Sequence, residues 1–184
     1  MPRVTEQTKQ ITVSEYLEFE QTATTRHEFV NGQIFAMAGG SKTHNRIALN
    51  LASRALTAAH ALDCEVFSSD VKVQTDDVYY YPDMIVSCEK DDDKYFARRP
   101  CTIVEVISDS TADIDCGEKW QNYQKLESLK TYILLDQTRV TAEVFQRLPD
   151  GAWRYEKLEK GNTLKILCLK LEIPLEDVYQ GIEF

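Results

Sequence analysis

The sequence predicts an α/β fold: a central mixed β-sheet flanked by α-helices and closed by a C-terminal β-meander. Three observations predict it. Apolar or alternating runs of strand length recur at roughly 64–75, 79–87, 101–108 and 131–135. Helical periodicities interrupt these runs. Beyond residue 135 only short runs remain, separated by turn residues. At 184 residues the chain reads as one domain, spanning 1–184.

Met1 to Gln10 is polar and is expected to be loosely ordered. A short helix follows over 12–21, capped by Thr12 or Ser14, with Glu15 in its first turn. His27–Val30 and Gln33–Met37 flank Asn31-Gly32, the strongest short hairpin signal. After Gly39-Gly40-Ser41 a long helix is expected from about Thr43 to Ala61. Its Ile47, Leu51, Ala55 and Ala59 step by four. Glu89–Lys94, with three consecutive aspartates, reads as a solvated loop, with cation binding as the alternative. A further helix should begin at Asp113 or Asp115 and run to about Leu129, presenting Trp120, Tyr123 and Leu126 on one face. Turns at Gln137-Thr138-Arg139, Pro149-Asp150-Gly151 and Lys160-Gly161-Asn162 mark the meander, and Pro174–Tyr179 a closing helical turn.

A net charge of −9 argues against affinity from a broad basic surface, but it leaves room for a metal and a local groove that hold a phosphate. The five cysteines are odd in number and lack Cys-x-x-Cys spacing. That argues against a disulfide framework or a zinc site and fits a reducing cytoplasm. No run of about 18 apolar residues occurs, so no signal peptide or membrane span is expected.

Two carboxylates carry the chemistry. Asp83 and Glu105 each interrupt an apolar strand, where a buried charge costs several kcal/mol unless it is compensated. Mg²⁺ or Mn²⁺ would remove both the burial cost and the mutual repulsion. Pro82 cannot donate to a ladder, so it predicts an edge, a bulge or a splayed strand just before Asp83. Lys119, beside Trp120 and four residues before Tyr123, should lie near the sheet, where it can orient a metal-bound water or neutralise a phosphate. A lysine snorkelling to the surface is the alternative. Glu28 extends the metal site or pairs with Arg26 in the open. His44 follows the Gly-Gly-Ser turn, either capping its helix or meeting a phosphate. Lys72 could reach a phosphate or Asp70.

Pro82-Asp83, followed 22 positions later (105 − 83) by Glu105, resembles the Pro-Asp…(Asp/Glu)-x-Lys nuclease superfamily. Arg26–Gly32, the Tyr-Pro-Asp strand, Ile103–Ser108 with Ser110-Thr111, and Asp115-x-Gly117-x-Lys119 with Tyr123 resemble one family within it. That family is the Uma-two family of bacterial restriction endonucleases, and the resemblance runs from about residue 12 to 180. It implies a restriction-endonuclease-like fold and Mg²⁺ or Mn²⁺ held by Asp83 and Glu105, with Glu28 as a further acidic ligand. The superfamily's strand lysine falls on Ile107, and Lys119 resembles a migrated substitute.

The function expected is metal-dependent endonucleolytic cleavage of DNA by a cytoplasmic homodimer, because cutting both strands needs two sites. The alternatives are a catalytically inactive nuclease-fold module that binds nucleic acid or protein, and a self-associating structural protein.

Overall fold

The computed structural model describes residues 10–37, 39–91, 93–108 and 114–184. The expected loose N-terminus (residues 1–9), Asp92, Ser110-Thr111 and the helix start at Asp113 lie outside the described residues.

Thr12 accepts the Glu15 amide while the Glu15 carboxylate reaches back to the Thr12 amide. This capping box opens α1 (Val13–Thr22). The hairpin β1 (His27–Val30) and β2 (Gln33–Ala36) turns at Asn31 and Gly32, whose φ angles of 50° and 83° suit the tight mirror-image turn such a hairpin prefers. Ser41 caps α2 (Lys42–Ala59), which buries Ile47, Leu51, Ala55 and Ala59 as its periodicity predicts.

Both long apolar runs divide, and their halves join different sheets. The first becomes β3 (Glu65–Ser68) and β4 (Lys72–Thr75), broken at Ser69, whose φ is 64°. The second becomes β5 (Val78–Tyr80) and β6 (Met84–Ser87), broken around Pro82, which has no N–H to offer a ladder. The splay expected before Asp83 is therefore a crossing from one sheet to the other. A two-residue strand that the sequence did not signal, β7 (Phe96–Ala97), precedes β8 (Thr102–Ile107).

The next helix is shorter than expected. A π-helical turn, Ile114–Lys119, leads into a single α turn, α3 (Trp120–Tyr123). Beyond it the Arg147 guanidinium donates to the carbonyls of Gln124, Leu126 and Leu129 at 2.7–2.9 Å. Those oxygens are satisfied without further helix. The strands β9 (Thr131–Asp136), β10 (Thr141–Arg147) and β11 (Trp153–Glu159) form the expected meander. It stops there, because β12 (Thr163–Ile166) pairs with β13 (Leu171–Pro174) in a separate hairpin around a 3₁₀ turn, Leu167–Leu169. The helical turn α4 (Leu175–Val178) closes the described chain as predicted.

One mixed sheet runs β11-β10-β9-β8-β6-β3, with β8 and β9 parallel; the other runs β2-β1-β5-β4-β7. On one face of the six-stranded sheet, Met84, Val86, Val104 and Val106 pack with α2 and the C-terminal hairpin. On the other, Ile85, Ile103, Tyr132 and Leu134 pack with Tyr123 and with Val73, Val78 and Tyr80 of the smaller sheet. Leu51, fully buried in the first layer, makes a simple test of this core: Leu51→Ala is expected to lower stability by ~2–5 kcal/mol in urea unfolding.

The cysteines correct the sequence reading. Cys64 joins Cys88, Cys101 joins Cys168, and Cys116 is in neither disulfide. Cys64, Cys88 and Cys101 flank strands of the six-stranded sheet and Cys168 lies in the 3₁₀ turn of the C-terminal hairpin, so only the folded chain brings them together and their spacing along it carried no signal.

Candidate active site

Glu105 shares its β8 face with Ile103, so alternation points it between the two sheets. β6 pairs with β8 as Met84 with Val104; one step further along that register, Asp83 stands opposite Glu105. There β6 has ended, and the Asp83 side chain takes over. Its Oδ2 accepts the Val106 N–H at 2.7 Å, and its Oδ1 lies 2.8 Å from His44 Nε2. The hydrogen bond to Asp83 raises the affinity of the His44 imidazole for a proton, against the opposing effect of burial. A Cβ on Gly40 would fall 2.9 Å from His44 Cδ2, so the glycine keeps room for the imidazole. His44 thus reaches a carboxylate; its amide is taken by the Ser41 hydroxyl, which caps the helix.

Lys119 lies inward. Trp120 stacks on Tyr132, and Tyr123 meets the same ring edge-on, so this short helical segment faces the sheet as expected. The Lys119 Nζ is 3.0 Å from Glu28 Oε1, 3.0 Å from Glu105 Oε1 and 3.1 Å from Asp115 Oδ1. All four residues are buried, at 3–7% exposure, which removes the snorkelling alternative for Lys119. Glu28 is likewise no surface residue, and Arg26 pairs with Asp70 instead. Tyr123 donates to Glu105 Oε1 at 3.1 Å. The Tyr132 hydroxyl donates to the Asp115 carbonyl at 3.0 Å and so pins the π-helical turn.

Three carboxylates around one ammonium leave two surplus negative charges if all are ionised. Burial pushes the Glu105 carboxyl well above the usual carboxylate range; Lys119 opposes this, while Asp115, Asp83 and Glu28 reinforce it. Lys119 is disfavoured as a cation by burial, but Glu105, Glu28 and Asp115 outweigh that and hold it charged. The surplus negative charge therefore favours a proton on Glu105.

Asp115 was absent from the site set read off the sequence. Its i,i+4 spacing to Lys119 was the available signal. Lys72 lies apart from the cluster's ion pairs, its ammonium over the rings of Tyr81 (5.1 Å) and Phe96 (5.3 Å). In the acidic loop, Asp91 and Asp93 pair with Arg98.

Comparison with known proteins agrees with this architecture. A crystal structure described as "a putative nuclease belonging to DUF820 from Anabaena variabilis ATCC 29413" superposes with a TM-score of 0.78. It is 15% identical, and the match covers 92% of this chain and 97% of that one. The restriction-endonuclease-like fold is thus shared. Two Synechocystis sp. proteins, "Uncharacterized protein slr1290" and "Uncharacterized protein sll1609", are each 33% identical. The first match spans 174 residues, 92% of both chains; the second spans 157, covering 82% of this chain and 89% of the relative. The model of the Uma2 family, described as "Putative restriction endonuclease", matches residues 13–176. The chain belongs to the Uma2 family.

Proposed function

We propose that the protein is a metal-dependent endonuclease that hydrolyses phosphodiester bonds in DNA, with Asp83 and Glu105 holding Mg²⁺ or Mn²⁺. One observation carries this reading: buried carboxylates from β1, β8 and the π-helical turn meet beside Asp83 with more negative charge than Lys119 neutralises. The donor set is all carboxylate oxygen, the chemistry that hard divalent cations select. When bound, such a cation polarises a phosphoryl oxygen and lowers the pKa of a ligated water.

The chain's own groups supply the rest. Glu28 extends the acidic shell toward the smaller sheet. Lys119 presents a fixed positive charge where negative charge develops during attack at phosphorus. His44 and the Val106 amide hold the Asp83 carboxylate in one orientation. His44 then acts by positioning Asp83 and has no need to touch a phosphate itself. His44→Ala is expected to weaken Mg²⁺ binding by ~10–100-fold, read by calorimetry, with the fold retained.

A second reading has its own support. Ile107 stands where the superfamily pattern has its lysine, and Lys119 is engaged by three carboxylates. A nuclease-fold module that binds without cutting would have both features. Supercoiled plasmid, single-stranded DNA and RNA, each incubated with Mn²⁺ or EDTA, separate the two. Metal-dependent cleavage supports the enzyme; binding without cleavage of any substrate supports the module. Cleavage of both duplex strands further implies a homodimer, which light scattering across concentrations tests.

A further inference from the structure

Four of the five cysteines gather at the end of the six-stranded sheet remote from the carboxylates. Cys64 precedes β3, Cys88 follows β6 and Cys101 precedes β8. The register of β3 on β6 pairs Glu65 with Ser87, which sets Cys64 beside Cys88. Cys168 arrives from the 3₁₀ turn of the C-terminal hairpin. The sulfurs are joined as 64–88 and 101–168. The two pairs nevertheless form one cluster. Cys88 Sγ is 3.8 Å from Cys101 Sγ, and the sulfurs of Cys88, Cys101 and Cys168 all lie within 4.8 Å of one another. The buried Thr102 hydroxyl is 3.3 Å from Cys168 Sγ.

A tetrahedral zinc centre with Zn–S bonds of about 2.3 Å spaces its sulfurs ~3.8 Å apart, the separation already present between Cys88 and Cys101. Cys64 stands outside the set of three close sulfurs but is bonded to Cys88, so reduction of that bond frees it to turn inward as the fourth ligand. We propose that, once reduced, this cluster is a binding site for one Zn²⁺, with Cys64, Cys88, Cys101 and Cys168 as its ligands. The chemistry balances with a dithiol as reductant. Each protein disulfide takes two electrons and two protons from one dithiol, which closes to its own disulfide. The four thiols then release four protons to solvent as they bind one Zn²⁺, leaving a centre of charge 2 − 4 = −2. The Thr102 hydroxyl donates to the Cys168 thiolate. Thiolates select a soft or borderline cation and carboxylates a hard one, so the two sites do not compete for the same metal. The exposed Cys88 gives both metal and reductant a way in.

The site has a mechanical reach. Asp83 and Cys88 flank β6 at its two ends, five residues apart (88 − 83), and Cys101, just before β8, is four residues from Glu105 within it (105 − 101). Closing the cluster fixes the far ends of the two strands that present those carboxylates.

The full chain, reduced with dithiothreitol under nitrogen and freed of it, is titrated with Co²⁺ and then Zn²⁺, beside Cys168→Ser, Thr102→Val and Cys116→Ser. The expected result is one Co²⁺ per chain, with the intense visible absorption and charge-transfer band of a tetrahedral tetrathiolate, displaced by one Zn²⁺. Cys116→Ser should match wild type. Thr102→Val should bind ~10-fold more weakly, and Cys168→Ser should lose the four-sulfur spectrum. No thiolate charge-transfer band in reduced wild type would overturn the proposal. So would a band abolished by Cys116→Ser, or a thiol count that stays at one per chain after dithiothreitol. If Cys168→Ser fails to fold by circular dichroism, the wild-type titration decides alone. None of these readouts depends on nuclease activity.

Discussion

Lys119→Ala is expected to be among the most damaging single substitutions in the chain, lowering stability by ~3–5 kcal/mol. Wild-type Lys119 is buried, and it is the ammonium on which Glu28, Glu105 and Asp115 all converge. Removing it leaves three carboxylates in a dry layer between two sheets, and at least some must take up protons or open the layer to water. The loss should therefore depend on pH. Glu105, already pushed upward by burial, should protonate more readily still, so the variant recovers part of its deficit as pH falls. Urea unfolding at pH 5 and pH 8 checks this. Adding Glu105→Gln to Lys119→Ala should restore some of the stability, since it removes one of the stranded charges. A double variant no more stable than the single one would mean that packing, and not charge, sets the cost. Cleavage should be lost in both.

Asp83→Ala should show the opposite balance, with a large effect on chemistry and a small one on the fold. The Asp83 side chain is only partly buried, at 19% exposure, and its removal strands one backbone N–H, a cost of ~1–3 kcal/mol. In the proposed mechanism the same carboxylate holds the metal. Losing several kcal/mol of transition-state stabilisation slows cleavage by ~10²–10³-fold. Plasmid nicking with Mn²⁺ reads the rate, and calorimetry reads Mg²⁺ binding in the same preparation. If Asp83→Ala bound Mg²⁺ as wild type does, the metal would have to be placed elsewhere.

Features that one segment encodes were legible in the sequence. The Thr12–Glu15 capping box, the Asn31-Gly32 turn and the four-residue step of α2 are written in adjacent side chains, and the chain folds accordingly. Pro82 was legible as a break but not as a crossing between sheets, because only the partner strands decide which sheet β5 and β6 join. The inward aim of Glu105 followed from alternation. The end of α3 did not follow from any local pattern, since it depends on Arg147, more than twenty residues downstream. The cysteine cluster was invisible for the same reason: its members stand 24 and 67 residues apart and meet only after the sheet has formed. His44 was legible as a helix-start residue, but its carboxylate partner lies 39 positions away.

The π-helical turn at Ile114–Lys119 has a consequence for descent. Each of its hydrogen bonds spans five residues where an α-helix spans four, so such a turn amounts to an α-helix with one residue inserted. Because the extra residue is taken up within the turn, a relative that lacks it closes the same stretch as a regular α-helix and still presents α3 to the sheet. Aspartate and lysine then stand three positions apart in place of four, a spacing that also keeps them on one helix face. A gap of one position here is compatible with the same cluster, so at this place ancestry should be read with one position of slack between the two letters.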